Sequence, residues 1–269
     1  MIMGDTIFLM LTFFIISLVY SSIGFGGGSS YLAVMALCAV PLYLMPRFAL
    51  ACNIIVVLGG CWVYYRSKHL DIKRALPFIL GSIPLSFIGG MIPVNRTVFL
   101  TLLAITLIAA SLNMIFFSSS GRKKLKEDFF KRRTGADAAG PRITGWYRCS
   151  MDLGIGGCLG FVSGLVGIGG GIFLAPLLHA VRWGYAKQIA ATASLFILLN
   201  SIAGLAGQLS KGGVDAAHLG VVPLALAVLA GGQVGSRLGA FRLSELFVKN
   251  ATAGMVMFAG LRIMFKVYL

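Results

Sequence analysis

Apolar residues in this chain come in long blocks broken by short polar joints, and not at the spacing of a single buried face. Ten apolar segments stand out: 6-23, 30-45, 48-65, 75-92, 97-117, 151-166, 172-182, 187-208, 218-236 and 245-267. Most approach the roughly 20 residues that a helix needs to cross the hydrocarbon core of a bilayer. The alternation of apolar and polar positions that a membrane β-barrel requires is absent. The pattern therefore predicts an all-α polytopic membrane protein. Composition agrees: of 269 residues, 58% are hydrophobic and 12% charged, with a mean hydropathy of +0.91, against roughly 25% charged in an ordinary soluble domain.

One long hydrophilic stretch interrupts the pattern, "SSSGRKKLKEDFFKRRTGADAAGPRITGWYRC", between the fifth and sixth segments. It divides the chain into a first membrane repeat over 1-117, a basic linker over 118-150 and a second membrane repeat over 151-269. A net charge of +15 would suggest nucleic acid for a soluble protein, but nine of the 23 Lys and Arg residues sit in this one joint. Basic loops of membrane proteins stay in the cytoplasm, so the joint is read as a cytoplasmic anchor with affinity for anionic lipid heads, and no nucleic-acid partner is expected. Cys38, Cys52, Cys61, Cys149 and Cys158 are odd in number, lack a CxxC pair and lie in or beside apolar segments. They read as small buried residues rather than disulfides or metal ligands. Only Asp5, and no basic region, precedes the first apolar run, so a cleaved signal peptide is not expected.

The two halves can be laid over each other. In "SSIGFGGGSSYLAVMAL" (Ser21 to Leu37) and "SGLVGIGGGIFLAPLL" (Ser163 to Leu178), Gly24, Gly26, Gly27 and Gly28 match Gly167, Gly169, Gly170 and Gly171 at a constant offset. Further on, "HLDIKRALP" pairs with "GGVDAAHLG", aligning Asp71 with Asp215, and both halves end on similar runs, "NMIF" and "RIMF". An internal repeat of this kind is the common sequence trace of a transporter fold.

Glycine accepts backbone angles that other residues avoid, so each glycine run interrupts its helix within or at the edge of the bilayer. A new apolar helix follows, whose first N–H groups lack intrahelical acceptors and carry the positive end of the helix dipole. With no side chain in the way, an anion can approach them closely. The expected site is two such helix starts, Gly26, Gly27 and Gly28 facing Gly169, Gly170 and Gly171, converging near the midplane. In the first half Ser29 and Ser30 stand where a cap or hydroxyl donor is expected; Ile172 and Phe173 replace them in the second. Asn53, Thr192, Ser194 and Asn200 follow the joints in corresponding segments and add neutral hydrogen-bonding groups. The competing reading is that the glycines serve tight helix crossings and the polar residues bond between helices, both common in membranes. Arg47 and Lys187 precede the same segments, as attractors at a cavity mouth or as interface anchors. Gln208, Gln233 and His179 are weaker candidates.

Missing chemistry narrows the function. All eight carboxylates fall in loops or at segment ends, so no buried acidic proton relay is visible. There is no Walker A run for ATP, and no HExxH, paired-carboxylate or Ser/His/Asp set for an enzyme. No cofactor and no metal are expected. These features favour a secondary carrier of a small anion, by uniport or with a substrate that brings its own proton. A channel-like pathway for anions or other small solutes is the alternative, a membrane enzyme or assembly factor comes third, and a homodimer is left open.

Charge also bears on orientation. An odd number of inserted segments per half turns the second repeat over, and an even number leaves it parallel. With the central joint in the cytoplasm, the inverted arrangement places 18 basic residues inside and 5 outside, against 16 and 7 for the parallel one. Two inverted five-segment repeats are expected, with the glycine breaks near the midplane.

The paired G-x-G-G-G joints, the basic loop between similar halves, and the run "KQIAATASLFILLNSIAGLAGQ" resemble the sulfite exporter TauE/SafE family. The likeness is greatest from about Leu159 to Gln208. The first half departs from it, with Ala33 in place of Pro176 and "ALACNII" against "AATASLF". The resemblance implies transport of a small oxyanion such as sulfite or an organosulfonate across a bacterial cytoplasmic membrane.

Overall fold

A computed structural model of the protein describes residues 3-22, 25-38, 40-66, 70-109, 111-112, 146-181, 183-184, 186-212 and 221-239, together with 254, 257-258, 260-261 and 263-265. Among these residues there is no strand. The chain runs through α1 (Met3–Ser21), α2 (Gly28–Leu37), α3 (Met45–Arg66), α4 (Ile72–Met91), α5 (Arg96–Ala109), α6 (Trp146–Val166), α7 (Gly171–Ala180), α8 (Ala186–Leu209) and α9 (Val221–Gly239). The described positions from 254 onward are helical as well. Helices α3, α4 and α8, and α6 from Cys149 on, are long and apolar enough to span a membrane. On α1, Ile7, Phe8, Leu11 and Ile15 lie exposed on the outside, a face suited to lipid.

Two expectations about the segments change. Those at 30-45 and 172-182 are not full spans, because α2 and α7 have 10 residues each, about 15 Å at the helical rise and half of a hydrocarbon core. The sixth begins earlier than its apolar stretch, at Trp146. Residues 118–145 of the linker and most of the tenth segment lie outside the described residues.

Helix ends are made locally. Asp71 starts α4 by accepting the Arg74 N–H on its side chain at 3.2 Å, the use expected of an N-cap aspartate. Beyond α8, Gly212 has φ 75° and returns its N–H to Leu209 O at 3.1 Å, as a glycine past a helix C-terminus does.

Each half packs mainly on the other, with α4 against α6 and α8, α1 against α9, and α3 against α8. Glycine makes these seams close. On α6, Gly156, Gly160 and Gly164 lie directly against the backbones of Phe78, Ser82 and Ser86 on α4, and Gly81 and Gly89 of α4 lie against Leu153 and Phe161 of α6. On α9, Gly231 and Gly235 lie against Phe14 and Leu18 of α1. Lipid offers helices no hydrophobic reason to associate, so close backbone approach through small residues supplies the attraction.

The contact registers also fix directions. Numbers rise together along α4 and α6 and along α1 and α9. They rise together along α4 and α8 too, where Ser86 Oγ donates to Asn200 O at 2.9 Å and Gly90 meets Gly204. Helices α3 and α8 run oppositely, since Arg47 meets Gln208 while Leu50 meets Gly204. The same holds for α5 and the last segment, where Ser111 meets Met257 and Leu107 meets Gly260. Two apolar cores result. One holds Phe13, Tyr31, Leu32 and Leu103; the other holds Phe78, Leu174, Leu178 and Phe196; Phe25 packs against both.

The α4–α6 seam predicts a sharp positional contrast. Gly160→Leu should destabilise the purified protein by about 1–3 kcal/mol through overpacking, seen as a lower thermal unfolding temperature in detergent. Gly154→Leu, on the same helix with open space around it, should leave that temperature nearly unchanged.

Candidate functional site

The first joint carries the chain from α1 through Phe25, Gly26 and Gly27 into α2. Gly27 precedes α2 with φ 85°, in the left-handed region, and makes no side-chain cap. At the second joint Gly167 and Gly169 both have φ 84° and Gly170 has φ 75°. Residues with a Cβ pay heavily for such angles, which is why the breaks consist of glycine.

The joints share one backbone plan. Phe25 N–H donates to Tyr20 O at 3.0 Å, and at the matching point Ile168 N–H donates to Ser163 O at 3.2 Å. Ser30 and Tyr31 both donate to Gly27 O, at 3.0 and 3.1 Å, as Phe173 and Leu174 both donate to Gly170 O, each at 3.2 Å. The far ends of the short helices agree too: Val40 N–H returns to Met35 O at 3.0 Å and Trp183 N–H to Leu178 O at 2.9 Å. In the first half the chain doubles back, with the rings of Phe13 and Tyr31 4.7 Å apart and the hydroxyls of Tyr20 and Ser30 2.7 Å apart. The first N–H groups of each short helix, those of Gly28 and Ser29 and of Gly171 and Ile172, have no backbone acceptor among the described residues.

The two joints meet. Asn53, fully buried in α3, donates through Nδ2 to Ile168 O of the second joint at 2.9 Å. The same side chain lies against Gly26 and Gly28 of the first joint and Gly169 of the second. A Cβ on Gly28 would stand 2.7 Å from Ile168 O, so joint-to-joint contact is itself a reason for glycine. On the other side Gly169 faces Ser201 of α8, with a Cβ there 2.9 Å from its Oγ, and Gly170 faces Phe196 and Ser163. Asn53 Oδ1, Ser163 Oγ and Ser201 Oγ are buried with no hydrogen-bond partner among the described residues. Unsatisfied buried polar groups cost about 1–3 kcal/mol each and mark a place where a ligand or water completes the structure. No side chain nearest these glycines is charged.

The six glycines and Asn53 are thus brought together, and other candidates are placed differently. Ser29 and Ser30 do not cap: they lie inside α2, buried, and Ser30 is paired with Tyr20. Ser194 and Asn200 direct donors back along α8, to Ala190 O at 2.8 Å and Phe196 O at 2.9 Å. Thr192 is buried, with its hydroxyl lacking a partner among the described residues. Arg47 is a buried residue bonded to the end of α8, and neither lipid nor solvent surrounds it. Gln208 is buried beside it, whereas Gln233 is exposed. The side chains of Lys187 and His179 lie outside the described residues. None of the five cysteines forms a disulfide; Cys52 is buried as expected, but Cys38, Cys149 and Cys158 are exposed, so burial does not account for them.

Ser201 and Ser163 escape sequence reasoning. Laying "ALACNII" on "AATASLF" pairs Asn53 with Ser194. In the folded chain Ile197 takes against Gly171 the place that Asn53 takes against Gly28, and Ser201 takes against Gly169 the place of Val57 against Gly26. The correct pairing is displaced by about one helical turn.

A family model for the sulfite exporter TauE/SafE matches residues 9–263. The chain belongs to this family. TauE/SafE proteins are membrane transporters, and the chain is accordingly an integral membrane protein. It is 31% identical over 262 residues to the probable membrane transporter protein y4hK of Sinorhizobium fredii, covering 97% of this chain and 98% of that one. It is 29% identical over 230 residues to the probable membrane transporter protein YunE of Bacillus subtilis, covering 82% of each. No solved structure matches.

These contacts separate a structural from a ligand-facing role. Asn53→Leu removes the bond that ties one joint to the other and should lower stability by about 1–3 kcal/mol, measured by thermal unfolding. Ser201→Ala removes a hydroxyl that has no partner among the described residues and should leave unfolding unchanged while slowing transport in proteoliposomes.

Proposed function

We propose that this TauE/SafE protein is a secondary carrier of a small oxyanion, such as sulfite or an organosulfonate, bound where the two glycine joints meet. The observation that carries this reading is the convergence of two helix starts on one buried point, with hydroxyl and amide oxygens around it that have no partner among the described residues. N–H groups at the beginnings of α2 and α7 present the positive ends of two dipoles. Glycine leaves the approach to them open. Because the site is held by neutral groups, binding stays weak enough for release, which a carrier requires as much as capture. Proton coupling, where present, would travel with the substrate.

The same reading gives the chain two inverted five-segment repeats in a bacterial cytoplasmic membrane, with the basic linker in the cytoplasm. Its support is directional. Counterparts α3 and α8 run antiparallel, as do α5 and the last segment, and a repeat related by a parallel axis would align each pair instead. The α4–α6 and α1–α9 packings are also one arrangement with the halves exchanged.

Counterflow of sulfite or methanesulfonate in proteoliposomes tests the function: saturable exchange is expected, and flux without exchange would indicate a channel. Gly27→Val and Gly170→Val, which place a β-branched residue at φ 85° and 75°, should abolish exchange with the protein still in the membrane; wild-type rates in both would defeat the site. For topology, single cysteines at Arg66 and Ser210 should react from opposite faces of the membrane, and labelling from one face would rule out inversion.

A further inference from the structure

The contacts of the two halves make the seam between α4 and α8 the counterpart of the seam between α9 and α3. Along α3 and α8 the joints fix the correspondence. Asn53 against Gly28 matches Ile197 against Gly171, and Val57 against Gly26 matches Ser201 against Gly169, so Gly60 of α3 corresponds to Gly204 of α8. For α4 and α9 the rulers are α6 and α1. Gly89 lies against Phe161 as Gly235 lies against Leu18, and Phe161 and Leu18 stand equally far ahead of Ile168 and Phe25 in their joints. Gly90 therefore corresponds to Ser236. A separate contact gives the same pairing: Ser86 Oγ meets Asn200 O at 2.9 Å, and at the matching positions a Cβ on Gly232 would lie 3.6 Å from Val56 Cα.

Both seams touch at that depth, and beyond it they differ. Toward Ser210 the α4–α8 seam is shut. A Cβ on Gly90 would stand 2.5 Å from Gly204 O, and one on Gly207 would stand 3.1 Å from Gly90 Cα. Next to them Gln208 Nε2 donates to Gly164 O at 3.2 Å and ties α8 to α6. Toward Arg66 the α3–α9 seam is open. Nothing among the described residues lies within 4 Å of where a Cβ on Gly60 would stand. Ser236 Oγ does not reach across, and donates to Gln233 O of its own helix at 3.1 Å. Val63, the counterpart of Gly207, is 57% exposed. Gly60 follows the buried Val56 by one turn and the buried Asn53 by two, so by helical spacing it shares their inward face. The open space is thus on the protein side of α3, and the site at Asn53 is about 10 Å along the helix from it.

We propose that the gap beside Gly60 is the substrate's path between the glycine joints and the Arg66 end, and that the structure is the form of the carrier open to that end. Transport then exchanges the two seams: Gly60 closes on Ser236 as Gly204 parts from Gly90, and the joints come to face the Ser210 end. This rests on the carrier reading. Two halves with one backbone plan can adopt each other's packing, which supplies the second state that alternating access needs. Glycine at position 60 is explained by the closed form alone, since the open one leaves room for any side chain there.

The test uses the full chain in proteoliposomes. Gly60→Leu fills open space and should leave the unfolding temperature unchanged, yet slow exchange of sulfite or methanesulfonate roughly five- to a hundredfold, the population lost from a closed form that must overpack the added side chain. In a cysteine-free background, Gly60→Cys should react with a membrane-impermeant methanethiosulfonate from the face that labels Arg66→Cys, and not from the face that labels Ser210→Cys. Val234→Cys, on the exposed side of α9, reports a lipid-facing thiol and should stay unlabelled. A lowered unfolding temperature or wild-type exchange in Gly60→Leu, or labelling of Gly60→Cys that is absent or comes from the Ser210 face, would each overturn the inference. If the unmutated protein exchanges neither anion, the carrier reading falls and takes the cycle with it, whereas an inert Gly60→Cys in a protein that does exchange overturns this inference alone.

Discussion

A helix that breaks inside a membrane must find hydrogen-bond partners within the protein, because hydrocarbon supplies none. That constraint governs the centre of this molecule. Each joint satisfies most of its backbone by the same bonds, with Gly27 O and Gly170 O each accepting twice and the loops closing onto Tyr20 O and Ser163 O. Ile168 O of the second joint is satisfied from the other half, by Asn53 of α3. The second joint is therefore not complete without the first half.

The remainder of the architecture brings these two points together and keeps them there. With α4 on α6 and α1 on α9, each half is clasped by helices of its counterpart. The clasp depends on backbone contact, since Gly156, Gly160 and Gly164 would each drive a side chain into the main chain of α4 if they carried one. Such seams gain dispersion and dipole contacts that lipid cannot match, and they tolerate no added methyl. Aromatic and aliphatic side chains fill the two cores on either side, and Phe25 bridges them from within the first joint.

The two-fold likeness of the backbone is not matched in chemistry. Where Asn53 lies on Gly28, Ile197 lies on Gly171; where Val57 lies on Gly26, Ser201 lies on Gly169. Tyr20 fills its place with a phenol bonded to Ser30, whereas Ser163 at the matching point has a small hydroxyl with no partner among the described residues. The polar groups at the meeting point are therefore unequal between the halves, an amide from α3 and hydroxyls from α6 and α8.

Much of this was legible in the chain. Block hydropathy announced a helical membrane protein, paired G-x-G-G-G runs announced two broken helices, and the constant offset between them carries through to the individual hydrogen bonds. These features are local, since glycine angles and apolar length act within a few residues. What lies between elements was not legible. That Ser30 pairs with Tyr20, that Arg47 is buried against the end of α8, and that Ser201 faces Gly169 all depend on how helices distant in sequence cross. A one-turn slip in aligning α3 with α8 hides Ser201, because apolar segments of similar composition carry little information about register. The sequence by itself determined where the helices break; only tertiary packing decided that the breaks meet, because the Ile168 carbonyl and the Asn53 amide become partners only when the two halves close on each other.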